Sequence, residues 1–234
     1  MVTKRVDIAI IGAGVVGCAI ARRLSITQPE TKVVVLEKLR GVGLETSGLN
    51  SGVLHSGIHQ KTDFLKSRLA REGSKLAVDY LKSHSIPVMR CGMLVAISLD
   101  SIKNGLYKEW LDLWRLVKRG REQKISLKFL TSFGIKKIEP NVRALGGIFI
   151  PKVWIIDPAT FVNTLYQEAG ARGVSFFFKS PVVSVSKNND SYSLSTPDKE
   201  FSAKKVINSA GLYADEVAKL AGFPQYKIYP WRGE

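Results

Sequence analysis

The feature that most constrains this chain lies in its first 37 residues. Val6 to Ile11 (VDIAII) is a short apolar run rich in β-branched residues. Gly12, Gly14 and Gly17 follow at G-x-G-x-x-G spacing, and the next stretch, CAIARRLSI, has the spacing of a helix. After Pro29-Glu30, Lys32 to Glu37 (KVVVLE) is a second apolar run. Continuous apolar runs of strand length read as strands buried on both faces, the habit of parallel sheets. Parallel neighbours cannot be joined by a tight turn, so the helical stretch between them is the crossover of a βαβ unit. An α/β architecture follows.

The glycines add a chemical reading. The first permits the tight turn, the second lets a pyrophosphate approach the backbone, and the third lets helix pack on strand. The helix start, at Val15 and Val16, presents N–H groups that suit phosphate. Glu37, twenty residues past Gly17 and followed by Lys38, can accept hydrogen bonds from a ribose diol. The plainer alternative is a tight βα turn with an ordinary surface glutamate. A strand before and a helix after the glycines favour a dinucleotide cradle.

Arg40 to Gly57 is Gly/Ser-rich and has no amphipathic period, where a nicotinamide-binding domain would run straight into another helix. A loop free of large side chains can lie along an extended cofactor, with Ser47, Asn50, Ser51 and Gly52 holding phosphate or flavin oxygens. Ile207 to Leu212 (INSAGL) brings a second small-residue approach at a strand end, through Ala210 and Gly211. Two such approaches favour FAD.

Elsewhere, Thr62 to Ser83 reads as a helix with Leu65, Leu69, Leu76 and Tyr80 on one face. Ile86 to Ile97 alternates like a strand or hairpin, and Arg143 to Ile156 suggests further sheet. Asp157-Pro158 opens a helix over Ala159 to Ala171. VSFFF, PVVSVS and SYSLST are strands, and Ala203 to Gly211 is a last buried strand with a helix beyond it.

Composition excludes disorder: 45% of the 234 residues are hydrophobic and 24% charged. No apolar run approaches the roughly 18 residues of a membrane span. Cys18 and Cys91 lack metal-ligand spacing, and Cys18 reads as core, so a reduced cytoplasmic protein is the expectation. The net charge of +15 suits nucleic acid, an anionic membrane face or an anionic substrate. No nucleic-acid motif accompanies it. Much of the excess lies between Lys103 and Lys137, in a helix whose apolar stripe reads as Tyr107, Trp110, Leu111, Trp114 and Val117. A solvated basic face is the plainer expectation there, and peripheral docking on a membrane the alternative.

In order along the chain, VDIAIIGAGVVGCAIARRLS, VVVLEK, NSGVLHSGI, RCGMLVAI, GIKKIEPNV, DPATFVNTLYQEAGARGVSF, VINSAGLYADEVAKLAG and WRGE resemble one flavoprotein group. The group is the D-amino-acid-oxidase-like FAD-dependent oxidoreductases. Within it the sequence is most similar to the L-2-hydroxyglutarate dehydrogenases (oxidases), with the FAD-linked glycerol-3-phosphate dehydrogenases next. The hydroxy-acid branch is favoured by NSGVLHSGI followed by LKSRL and RCG, although His59-Gln60 stand where that branch tends to carry two aromatics.

The resemblance implies a doubly wound, segmented FAD-binding Rossmann-like domain over 1–83 and 152–222, with Val183 among the cofactor contacts. It implies a β-rich α+β substrate domain over 84–151 and 223–234, incomplete at the C-terminus because family members continue past Glu234. A fragment, a truncated frame or half of a split protein would read this way, and a second subunit is one implied partner. The implied reaction oxidises a small anionic 2-hydroxy acid, passing hydride to flavin N5 and electrons to a quinone or other acceptor.

Such a reaction needs a base for the hydroxyl proton, and a histidine near its ordinary pKa suits that task. His55 is the first candidate, because the resemblance sets its segment beside the isoalloxazine. Its alternative role is a hydrogen bond that orders the loop. His59 is the second candidate or a solvent-facing residue, and His84 reads as a helix C-cap. A carboxylate also needs a fixed cation, for which Arg232 and Arg90 are the candidates. For Arg90 a surface charge is the plainer reading.

Overall fold

The computed structural model describes residues 3–100 and 106–230. In chain order these form β1 (Thr3–Ile11), α1 (Val15–Thr27), β2 (Val33–Leu36), β3 (Val53–Leu54), α2 (Leu65–Ser83), β4 (Val88–Met89) and β5 (Met93–Ser98). Then come α3 (Leu106–Glu122), β6 (Lys128–Thr131), α4 (Ser132–Ile138), β7 (Ala144–Ile150), β8 (Trp154–Ile156) and α5 (Pro158–Ala171). Last are β9 (Ser175–Phe177), β10 (Ser184–Asn188), β11 (Ser191–Ser195), β12 (Glu200–Asn208), a 3-10 turn at Gly211–Tyr213 and α6 (Ala214–Leu220).

Two compact units result, one from the described residues up to Asn50 and from Pro158 onward, the other from Ser51 to Asp157. The first holds a six-stranded sheet in the order β10-β11-β12-β1-β2-β9. β12, β1, β2 and β9 run parallel, with Ile10 level with both Ile207 and Val35, and β10 and β11 close one edge antiparallel. All four residues of β2 are buried, the mark of a strand covered on both faces. One face packs Ala9, Ile11, Leu36, Phe201 and Ala203 with Val217 of α6. By strand alternation Ile8 and Ile10 take the opposite face, toward the layer of α1 and α5. Those two helices are joined by an ion pair between Arg22 and Glu168. This is the α/β architecture that the βαβ pattern implied, in the doubly wound arrangement that the resemblance implied.

The second unit contains two antiparallel three-stranded sheets, β3-β8-β4 and β5-β7-β6. The expected strand or hairpin over Ile86 to Ile97 is two strands in different sheets, β4 pairing with β8 and β5 with β7. The unit boundaries also differ from the expected ones at 83/84, 151/152 and 222/223. Pairing of β8 with both β3 and β4 ties residues 53–54 and 154–156 into one sheet, and α2 goes with it. Residues 223–230 stay with the first unit, where Ile228 N–H donates to Asp215 Oδ2 at 3.2 Å.

In α2 the inward face differs from the expected one, and in α3 Val117 is the buried member of the expected stripe while its aromatics are exposed. In α2, Leu65, Leu69 and Leu76 are exposed, while Ser67, Val78 and Leu81 are buried. In α3, Leu113 and Val117 pack on Ile97 and Ile148 of the sheet, and Tyr107, Trp110 and Trp114 face outward. Each helix carries apolar residues on more than one side. In α3 the sheet takes Leu113 and Val117, which pack closer to the strands than the larger aromatic rings would.

Candidate cofactor site

β1 is where the strand order of the first sheet reverses. Its chain leaves through α1 to β2 on one side, and β12 arrives on the other from far along the sequence. At such a switch point the connections diverge and leave a crevice beyond the carboxyl ends of the strands. A cleft of about 450 Å³ lies there, lined by Gly12, Gly14, Val16, Glu37, Lys38, residues 43–47, residues 180–182 and residues 208–214.

The glycine turn is built by exclusion of side chains. Gly12 has φ +101°, and a methyl group there would stand 2.6 Å from the Ser209 carbonyl oxygen. Gly17 lies against the Gly12 carbonyl so closely that no Cβ fits. Gly14 opens α1 with no capping side chain of its own. Ser47 supplies one from 32 residues on, its hydroxyl accepting the Val15 N–H at 3.0 Å. That oxygen accepts, so the serine proton can still be donated to an anion at the helix start. Gly43 N–H donates to the Ala13 carbonyl at 3.0 Å, which draws the loop back across the turn.

Glu37 is buried at the end of the crevice. Its Oε2 accepts from Ala13 N–H at 2.7 Å and its Oε1 from Leu39 N–H at 2.8 Å. A carboxylate offers about four acceptor directions, so two remain for a ribose diol. Lys38 lines the cleft but is already engaged. It pairs with Glu45 at 3.0 Å and sits 3.1 Å from the Tyr213 ring centre, while the Tyr213 hydroxyl donates to Glu45 Oε1 at 3.2 Å. Burial acts to lower the Lys38 pKa, yet the Glu45 carboxylate and Tyr213 outweigh it and the net shift is upward. Cys18 lies behind the turn in the core, its thiol pushed up to about 12 by burial and then by Glu37.

Ala210 and Gly211 line the far wall, Gly211 at φ +58°. The residue that secures this wall is one the sequence reading passed over: Ser209, whose hydroxyl bridges to the Ile11 and Gly12 carbonyls at 2.8 and 3.1 Å. Its only signal was its place in INSAG at a strand end. Glu45 and Tyr213 were also missed, since nothing local marks two residues 168 positions apart as partners. Val182, not Val183, lines the cleft; Val183 is half-exposed and its N–H donates to the Ser195 carbonyl at 2.8 Å. Asn50 closes the first unit by donating to the Thr46 and Ser47 carbonyls at 3.0 and 2.9 Å.

Ser51, Gly52, His55, His59 and Arg90 belong to the second unit. Gly52 is buried at φ +68°, and its carbonyl accepts from Ile156 N–H at 3.0 Å. The rings of His55 and His59 lie 6.2 Å apart and nearly perpendicular, both with exposed surface. The His59 carbonyl accepts from Arg119 of α3 at 3.2 Å. Partial desolvation of its ring, then the neighbouring His55 and Arg119, hold the His59 pKa below the ordinary 6.5. Arg90 donates from Nε to the Pro151 carbonyl at 2.9 Å and lies over Trp154, 5.6 Å from the ring centre. Arg232 lies outside the described residues. His84 is the C-cap of α2, its Nδ1 2.8 Å from the Tyr80 carbonyl.

A side-chain-free turn at a helix start, a buried acid with spare acceptor directions and a small-residue second wall fit the adenosine and pyrophosphate of FAD. They define a flavin-type dinucleotide fold. The chain belongs to the FAD dependent oxidoreductase family, whose model matches residues 7–234. It is 31% identical to the mitochondrial L-2-hydroxyglutarate dehydrogenase of Caenorhabditis elegans, over 97% of this chain and 53% of that protein. With the glycerol 3-phosphate dehydrogenase of Caloramator mitchellensis it shares 32% identity, over 97% of this chain and 46% of that one. The FAD-bound L-alpha-glycerophosphate oxidase of Mycoplasma pneumoniae superposes with a TM-score of 0.82 at 30% identity, covering 94% of this chain and 58% of that one. The chain thus spans about half the length of the curated relatives it matches.

Proposed function

We propose that this chain forms the FAD-binding portion, and part of the substrate-binding portion, of a flavoprotein that oxidises a small 2-hydroxy acid of the L-2-hydroxyglutarate kind to its 2-oxo acid. The observation that carries the reading is the cleft at the β1/β12 switch point, with its glycine turn and buried Glu37. When bound, FAD supplies a hydride acceptor at its N5. Glu37 would hold the ribose hydroxyls with the acceptor directions left free by Ala13 and Leu39. The amides of Gly14 and Val16 with the Ser47 hydroxyl, itself held by the Val15 N–H, would meet the pyrophosphate at the start of α1. Gly12 and Gly17 keep the turn tight, and Ala210 and Gly211 bound the opposite wall without side-chain bulk. Lys38, fixed by Glu45 and Tyr213, would act by holding the rim rather than by touching phosphate.

His55 is the proposed base for the substrate hydroxyl proton, and His59 its partner. The lowered pKa of His59 keeps that ring neutral near pH 7, which leaves it able to accept a proton. Arg232 is the proposed carboxylate clamp, through a planar pair of donors. Arg90 has committed Nε to a backbone carbonyl and is the weaker candidate. A quinone or comparable carrier would receive the electrons.

The test is anaerobic. The purified yellow protein is mixed in turn with L-2-hydroxyglutarate, its D enantiomer and glycerol 3-phosphate, and the visible flavin absorbance is followed. Bleaching by L-2-hydroxyglutarate alone supports the reading, and bleaching by glycerol 3-phosphate transfers it to the related dehydrogenases. The half-length match favours a second reading, a flavin-binding portion that turns over only with further polypeptide. Bound flavin that no substrate bleaches until a second polypeptide is added would establish that one.

A further inference from the structure

Tyr107, Trp110 and Trp114, three members of the apolar stripe of α3, are 76%, 52% and 62% exposed. They stand at i, i+3 and i+7 on α3, and Lys118 and Arg121 continue the same line at i+11 and i+14. Five side chains therefore share one outward ridge, about 21 Å long at the rise of an α-helix. Lys118 Nζ lies 6.0 Å from the Trp114 ring, so cation and indole sit together on it. The three acids of the helix, Glu109, Asp112 and Glu122, fall roughly 80° or more around from Trp114. Asp112 is paired with Arg115 at 2.9 Å, and Glu122 accepts from the Thr62 hydroxyl at 2.8 Å. The adjoining face of α3, about 60–100° around from Trp114, is fixed on the sheet by Leu113 and Val117. Charge is concentrated in this unit as well. Residues 51–157 hold 19 Lys and Arg against 9 Asp and Glu, two thirds of the net excess of the chain.

We propose that this ridge is a docking surface for an anionic lipid bilayer. Indole and phenol rings are favoured at headgroup depth, where the apolar body is buried and the polar edge stays hydrated. Lys118 and Arg121 would meet lipid phosphates, and the surplus charge of the unit would draw it to a negative surface. The surface is a convex helical ridge, whereas single-stranded nucleic acid is tracked by a basic groove, so a flat partner fits better. The inference stands apart from the reaction proposed above. It concerns the outer face of α3, while the inner turn of that helix holds the histidine loop through Arg119.

The full chain is sedimented with vesicles of phosphatidylcholine alone and with vesicles containing phosphatidylglycerol, at low and high salt. Expected are binding to the anionic vesicles only, a blue shift of tryptophan emission on binding, and release by salt. The double variants Trp110→Ala/Trp114→Ala and Lys118→Glu/Arg121→Glu should each lower partitioning at least about tenfold. Both alter exposed positions, and unchanged circular dichroism and flavin content would show the fold intact. Equal binding to both vesicle types, variants that bind like the parent, or capture of oligothymidylate in place of vesicles would each overturn the proposal.

Discussion

A methyl group on Gly17 would run into the Gly12 carbonyl oxygen, a backbone atom just past the end of β1. On Gly14 it would stand 2.9 Å from the Ser47 hydroxyl, which can rotate aside. Gly17→Ala is expected to lose about 1–3 kcal/mol of stability together with its flavin. Gly14→Ala should lose less stability, that of the displaced Ser47 cap at about 1 kcal/mol or less, and lose flavin affinity. Thermal denaturation beside flavin absorbance distinguishes the two. The histidine pair gives a second prediction at this scale. In an NMR titration His59 should protonate below 6.5, and His55→Gln should raise its midpoint by removing a neighbouring charge. Folded His59 then binds a proton less readily than unfolded His59. Its contribution to stability is whole above pH 6.5 and is lost as pH falls through the folded value. His59→Gln should flatten that acid-side loss in a series of melts, and an unaltered slope would show that the ring titrates freely.

Helix faces are decided one scale up. In α2 the run Leu65, Leu69, Leu76 has the more regular spacing, yet Leu81 is fully buried and Leu76 is 68% exposed. Leu81→Ala is therefore expected to cost about 2–5 kcal/mol, and Leu76→Ala to stay within about 0.5 kcal/mol, in denaturant melts. Reversal of that order would put the sheet against the other face. The strands were easier to read, because a run such as Val33–Leu36 buried on both faces needs no choice of side. The helix after Asp157-Pro158 was also legible, since Pro158 takes the first helical position as written.

Across the whole molecule, a ligand that binds only the native state stabilises it by mass action, about 2.7 kcal/mol at a hundredfold excess over Kd. FAD should accordingly raise the melting temperature and slow amide exchange at residues 11–17, 36–47 and 208–213, leaving the outer turns of α3 as they were. Hydrogen-exchange mass spectrometry reads this directly. Protection confined to the second unit would place the cofactor elsewhere. Among the described residues no helix is long and apolar enough to cross a membrane.

The sequence by itself determined the βαβ unit, the glycine turn and the position of Glu37. Those features are local: strand-length apolar runs, absent Cβ atoms and a fixed interval fit within 37 residues. Only the tertiary structure decided what Glu37 binds, that Ser209 and Ser47 secure the turn, and that Lys38 is held by Glu45 and Tyr213. It also decided which sides of α2 and α3 face their sheets, and so which aromatics face out. Contacts between residues 32 to 198 positions apart depend on how separated segments meet, and periodicity in one segment carries no record of that meeting.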